Sequence, residues 1–307
     1  MRTVHRRHFG WDNSLPPVAE VESGGELEFA VAEASGGQLD ERSRADALTA
    51  LDFDKINPVT GPVFVKGARP GDVLEVEILS LSRPAWGWTG IIPGFGLLAD
   101  EFPDPWLQIW KVEDGVATGI PGARIAARPF PGTIGVALAE PGRHSIVPPR
   151  QNGGNMDVKH LTRGARLLLP VWVAGALFSI GDTHVAQGDG EVCGTAVESP
   201  MTVALRFKLV RDRAIGEPEY VLPPGVGAPP DPLGYHVTTG FADDLREAAR
   251  KATRAMIAFL GARYGLSRQE AYALASVCVD LRISEIVDAP HWLVSAFFPL
   301  SAMPLHA

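Results

Sequence analysis

The sequence predicts a mainly β protein: a β-sandwich or jelly-roll-like body followed by a smaller α+β C-terminal part. Three observations predict it. Several stretches alternate apolar and polar residues with the period of a half-buried strand. Glycine (33) and proline (26) are abundant, yet the chain of 307 residues is 46% hydrophobic, which suits many strands and turns rather than disorder. Helical spacing enters only after a proline-dense stretch at 211–237, so strands and helices are segregated along the chain.

The elements follow in order. In ELEFAV, 26–31, Leu27, Phe29 and Val31 face inward between outward acidic positions. DVLEVEIL, 72–79, repeats the pattern with Leu74, Val76 and Ile78 after a Pro-Gly turn. TVALRFKL, 202–209, alternates again. LLLPVWVAGALF, 167–178, is apolar on both faces and reads as one buried strand, with Pro170 at a strand end or bulge. Between about 83 and 152, Gly, Pro and Trp predict short strands and long loops. EPEYVLPPGVGAPPDPLG reads as a linker, dividing a body at 1–215 from a C-terminal part at 216–307. Helical spacing then runs through Phe241, Leu245, Ala252, Met256 and Phe259/Leu260. Its acids come early and its bases late, as the helix dipole favours, and Gly261 or Gly265 ends it. Ser267 and Glu270 form a capping box for a second helix to about Val279, and DLRISEIV alternates as a strand.

Lys and Arg total 28 against 36 Asp and Glu, a net charge of −8. That balance argues against nucleic acid and anionic membranes as partners. No run of about 18 apolar residues predicts a spanning helix. The opening MRTVHRRHFGWD lacks the apolar centre of a signal peptide. Cys193 and Cys278 stand in no metal-type spacing and read as free thiols. The expectation is a cytoplasmic protein.

The chemistry gathers in SIGDTHVAQGDGEVCGTAVESP, 179–200, where Asp182, Asp189, Glu191 and Glu198 crowd one histidine, His184. Close carboxylates repel unless a cation, a proton or water relieves them. Asp182 and His184 share a face on a strand, as do Asn155 and Asp157 upstream if extended. One His with several carboxylates suits Zn²⁺, Mn²⁺, Fe²⁺ or Mg²⁺, and an oxygen-only subset suits Ca²⁺. Turn chemistry at the Gly-Asp and Asp-Gly steps and a structural histidine would account for the same residues. His5, His8 and Asp12, and Asp52, Asp54 and Asn57, are weaker clusters. Trp86, Trp88 and Phe95 read as walls of a small pocket or as ordinary packing. No nucleophile elbow, dinucleotide fingerprint or P-loop is present.

The run GGNMDVKHLTRGARLLLPVWVAGALFSIGDTHVAQGDGEVCGTAVE resembles the signature of the acetamidase/formamidase family. So do NPVTGPVFVKGARPGDVLEVEIL, PPVAEVESGGELEF and DLRISEIVDAPHWLVSAFFP. The likeness covers nearly the whole chain. It implies a β-sandwich body with an α+β C-terminal part, and hydrolysis of short amides to carboxylate and ammonia. The family's acidic and histidine positions match Asp157, Asp182, His184, Asp189, Glu191 and Glu198. Some relatives carry His before the P-[VL]-T-G-P turn, where this chain has Asn57, so no metal ligand is carried over there. Acidic neighbours disfavour Cys193 as a nucleophile.

On these positions the expected roles are chemical. Asp157, Asp182, His184 and Glu198 would hold a divalent metal, zinc first, with manganese or calcium as alternatives. Glu191 would be the general base, with Asp189 orienting it or binding a second ion. Asn155 and Gln187 would hydrogen-bond the amide substrate. A homodimer is expected. Two alternatives stay open: hydrolysis of another small C–N compound, urea-like or cyclic, and a non-catalytic metal-binding sandwich.

Overall fold

Phe29, Phe178 and Phe207 are fully buried and stack edge to face across two sheets, with ring centroids 5.7 Å apart for Phe29–Phe178 and 5.0 Å for Phe178–Phe207. Each such ring contributes about 1.5–3 kcal/mol relative to exposure. The computed structural model describes residues 1–303 apart from 122, 192, 227–230, 267, 269–270, 272–274 and 276–278. Among the described residues the first sheet has nine strands, in the order Arg2–Val4, Glu26–Val31, Met201–Val210, Val73–Leu81, Arg166–Pro170, Glu219–Leu222, Tyr235–Ala242, Trp292–Pro299 and Asp280–Glu285. The second runs Gly153–Asn155, Phe130–Gly135, Phe178–His184, Val59–Val65 and Arg7–His8, with Ala19–Val21 also paired to Val59–Val65. Trp86–Ile91, Trp106–Glu113, Val116–Thr118 and Ile125–Ala126 form a smaller antiparallel sheet.

The protein is mainly β, as expected. The alternating strands bury the predicted side: Leu27, Phe29 and Val31, then Leu74, Val76 and Ile78. The stretch 167–178 is not one strand. Arg166–Pro170 ends at the proline, which has no N–H for the ladder. Gly175, Ala176 and Leu177 then take positive φ (74°, 58° and 54°) and turn the chain into Phe178–His184 of the other sheet. At Gly175 an added Cβ would strike the Phe64 ring. This crossover delivers the acid- and histidine-bearing strand to the site.

The proline-dense stretch also contains structure. Glu219–Leu222 lies between Arg166–Pro170 and Tyr235–Ala242, so the nine-stranded sheet runs unbroken past residue 215. Phe241 belongs to that strand, not to the helix. The helix is Leu245–Tyr264, because the Asp244 carboxylate accepts the Glu247 N–H at 2.8 Å as N-cap. Gly265, left-handed with φ 70°, closes it. Ala248, Ala252, Met256 and Leu260 pack on Val294, Ala296 and Phe298 of the sheet. The expected capping box at Ser267 and Glu270 lies outside the described residues, as does Cys278. Asp280–Glu285 is a strand, and the apolar 291–300 segment forms the largely buried strand Trp292–Pro299 beside it. No described helix is long and apolar enough to cross a membrane.

Candidate active site

His184 closes the strand Phe178–His184, and the chain then doubles back. Val185 N–H donates to Val197 O at 2.8 Å and Val197 N–H to Ala186 O at 3.0 Å. Glu198 thereby faces His184 across an antiparallel bridge, and bridges Trp88 as well. Asp182, two residues earlier on the same strand, reaches the same point. His184 Nε2 is 3.2 Å from Asp182 Oδ1 and 3.0 Å from Glu198 Oε2. Asp157 follows the strand Gly153–Asn155 and places Oδ1 3.9 Å from His184 Nδ1. Gly132 makes room for this meeting: a Cβ there would strike Asp157 Oδ1 and come within 2.7 Å of His184 Cε1 and 3.0 Å of Asp182 Oδ2. A cavity of about 70 Å³ opens onto Asp182, Glu191, Glu198, Asn155 and Asp288, walled by Trp88, Phe95, Ile92, Leu51 and Phe53.

Asp157, Asp182, Glu191 and the neighbouring Asn57 all take positive φ, between 46° and 52°. Left-handed backbone at a residue with a side chain costs of order 1–3 kcal/mol each and persists where the surroundings over-determine it. Here it concentrates at the acidic cluster.

Six buried carboxyl groups converge with a single imidazole: Asp157, Asp182, Glu191, Glu198, Glu285 and Asp288 beside His184. Burying that many like charges is far more costly than any one ion pair repays, so protons or a cation must neutralise them. Burial pushes Asp157 up to about 7 and Glu198 up to about 8, with His184 pulling both back. Burial and the Asp157 charge hold Glu191 well above the usual carboxylate range. Burial raises Asp288 too, reinforced by Glu285 and Asp157. Asp182 goes the other way: burial would raise it, but the His184 charge and the close polar approach of His184, Glu198 and Thr133 bring it below its ordinary value. Burial would lower His184, but Glu198 and Asp182 outweigh it and hold the imidazole well above its ordinary value.

The residues present fit a divalent cation. Asp157 Oδ1 and Oδ2, Asp182 Oδ1, His184 Nε2 and Glu198 Oε2 are all buried and without a well-formed hydrogen bond among the described residues. Asp182, His184 and Glu198 each bring a ligand atom within 4.8 Å of the others, as do Asp157, His184 and Glu191. Converging lone pairs that lack hydrogen-bond donors are the arrangement of a ligand set.

The structure separates the sequence candidates. Asp157, Asp182, His184, Glu191 and Glu198 come together. Asp189 does not: it lies on the exposed part of the loop, paired with Lys159 at 2.8 Å. Gln187 is used within the protein, its Oε1 3.0 Å from His184 Nδ1 and its Nε2 donating to Asp157 O at 2.8 Å, so neither end of its amide group is left without a protein partner. Asn155 does border the cavity. Its Oδ1 accepts from Thr133 Oγ1, and its Nδ2 donates to Asp288 Oδ2 at 2.5 Å. Trp88 and Phe95 line the cavity, whereas Trp86 is not in its wall. Cys193 Sγ rests 3.4 Å from Thr195 O. His8 is taken up by Ser179 and Gly10, and Asp52 caps a turn. The residues that sequence reasoning missed are Glu285 and Asp288. Glu285 Oε1 accepts the Val287 and Asp288 N–H groups, the latter at 2.6 Å, and so folds Asp288 toward Asn155. Their only signal was two acids in SEIVDAPHW just before a buried strand.

Comparison with known proteins decides the family. The model of the Acetamidase/Formamidase family matches residues 2–145 and 138–303. The chain belongs to that family. It is therefore an amidase of this family by descent. The crystal structure of an acetamidase from Bacillus halodurans superposes with a TM-score of 0.89 at 32% identity, covering 98% of each chain. A formamidase from Methylophilus methylotrophus is 28% identical over 98% of this chain and 91% of its own length. A gamma lactamase from Delftia acidovorans shares the fold with a TM-score of 0.68 at 27% identity, over 96% of this chain and 88% of that one.

Proposed function

We propose that this amidase hydrolyses a short linear amide, of formamide or acetamide size, to a carboxylate and ammonia with the help of a divalent cation. The observation that carries it is the small cavity of about 70 Å³ opening directly onto the buried acid–imidazole cluster. Such a volume holds a few heavy atoms, and the family supplies the reaction class. Asp182, His184, Glu198 and Asp157 would hold the ion, zinc being the first choice for a set containing imidazole. When bound, it polarises the amide carbonyl and makes water a better nucleophile.

This chain's own residues do the rest. Asn155 has its carbonyl oxygen held by Thr133 and one N–H held by Asp288, which leaves its second N–H for the substrate oxygen. Glu191 lines the cavity and makes no hydrogen bond with its carboxylate to the described residues. Its raised proton affinity suits a group that takes a proton from water and gives it to the leaving nitrogen. That transfer matters because an amide anion is a very poor leaving group.

The Delftia acidovorans relative favours a second reading, opening of a small cyclic amide. One experiment separates them. Ammonia release is followed from formamide, acetamide and propionamide, and ring opening from a γ-lactam, with protein as purified, after chelation, and after return of Zn²⁺, Mn²⁺ or Ca²⁺. Metal content is measured on the same samples. Turnover of the linear amides that chelation abolishes and one ion restores supports the proposal. Ring opening without ammonia release favours the second reading, and no turnover with metal bound favours a binding protein.

A further inference from the structure

One wall of the cavity carries a polar group that the hydrolysis does not use. Asn57 sits just after the turn Phe53–Lys55, beside Leu51, Phe53 and Ile56 in the cavity wall. It is only 8% exposed, and its Oδ1 is buried with no partner among the described residues. Its backbone N–H is given to Ala34 O at 2.6 Å, so that bond does not involve the side chain. Its φ of 49° lies where asparagine is favoured over larger residues. Buried carbonyl oxygens are rarely left unpaired, and those that are call for an explanation.

The other polar groups around this cavity include the carboxyl groups of Asp182, Glu191, Glu198 and Asp288. Asp182 and Glu198 serve the cation, Glu191 the proton, and Asp288 holds Asn155. An incoming amide also brings N–H donors, and the unpaired Asn57 Oδ1 is an acceptor not engaged with the cation or the proton. We infer that Asn57 reads the amide nitrogen: its Oδ1 accepts a substrate N–H and makes the site select amides over esters of the same shape. This deepens the amide-hydrolase reading and rests on it. In that reaction the C–N bond breaks, a C–O bond to water forms, and a water proton ends on nitrogen. The Asn57 contact persists on the nitrogen throughout, so it acts in recognition rather than in the chemical step. A site built to accept an N–H disfavours the analogue that lacks one, because its buried acceptor is then unpaired.

The test compares two near-isosteric ligands, N-methylacetamide with one N–H and methyl acetate with none. Each is scored as a competitor of acetamide hydrolysis by the metal-loaded enzyme. Asn57→Gly removes the side chain and tolerates the left-handed backbone. Relative to wild type, the preference for the amide over the ester should fall about tenfold to a hundredfold, with KM for acetamide rising more than kcat falls. Asn57→Ala, which makes the same deletion on a less permissive backbone, should give the same ratio. A ratio unchanged in both variants, with wild type releasing ammonia, overturns this inference alone. Wild type that releases no ammonia from acetamide overturns the inference together with the function beneath it.

Discussion

Gln187 selects which nitrogen keeps the proton in the neutral ring of His184. Its Nε2 faces the Asp157 carbonyl at 2.8 Å, which can only accept, so its Oε1 is the end that meets His184 Nδ1 at 3.0 Å. An amide oxygen can only accept as well, so Nδ1 carries the proton. Nε2 is then the atom turned to Asp182 and Glu198. This is the outer hydrogen bond that typically orients a metal-bound histidine. Gln187→Leu should therefore weaken Zn²⁺ binding by about 10–100-fold while the protein stays folded. Titration against a competing chelator checks it, and equal affinity in the two proteins would remove the orienting role.

The close approach at Gly132 gives a steric prediction. Its missing Cβ is the space in which Asp157, His184 and Asp182 meet. Gly132→Ala has no positive-φ penalty to confuse the result, since Gly132 is not among the left-handed glycines. It should cost about 1–3 kcal/mol through overpacking and displace the Asp157 carboxylate. Denaturant midpoints and metal content should both drop. A variant as stable as wild type with full metal content would show that Asp157 yields freely.

Glu191 and the ligand set make opposite predictions. Glu191→Gln keeps shape and removes the base. Turnover should fall by about 10²–10⁴-fold, with bound metal near the wild-type level. Glu198→Gln removes a group 3.0 Å from His184 Nε2 and should lose metal and turnover together. Metal analysis and kcat on the same preparations separate the two. Turnover near wild type in Glu191→Gln would pass the proton-carrying role to another carboxyl, with Asp288 the next candidate.

Much of this site was legible in one stretch of sequence because the local geometry is simple. Asp182 and His184 share a strand face, and a short Gly-rich return puts Glu198 opposite. Asp189 misled because sequence shows crowding but not direction; Lys159, some thirty residues upstream, claims it. Glu285 and Asp288 were hidden for the opposite reason. They come from the far end of the chain, and the loop at Gly190 meets them through its pairing with Ser284 and Glu285. The β class was readable from alternation. The split at Pro170 was less so, because an apolar run has no period to show where one sheet ends and another begins. As the salt bridge is partly exposed, Asp189→Asn should change stability by less than about 1 kcal/mol and leave turnover within about twofold; a loss as large as that of Glu191→Gln would return Asp189 to the site.

Glu217 offers a pH test away from the metal ligands. Its side chain is largely buried, Oε2 has no hydrogen bond among the described residues, and Lys251 stands 3.7 Å from Oε1. Burial pushes its carboxyl up to about 7, with Lys251 and the Phe241 N–H pulling it back. In the unfolded chain it titrates near 4.3. Between those values the folded state holds more protons than the unfolded one, so this group's contribution falls as pH rises. The loss begins near pH 4.3, is complete just above pH 7, and stays constant beyond. Glu217→Gln keeps the hydrogen-bonding shape without the charge. Relative to wild type it should match in stability near pH 4.5 and gain about 2–4 kcal/mol at pH 8, the raised value being already net of the Lys251 attraction. Urea unfolding of both proteins at the two pH values measures the difference, in which the rest of the acidic cluster cancels. A variant less stable than wild type at pH 8 would mean that the Lys251 pair outweighs burial and that Glu217 is ionised at little cost.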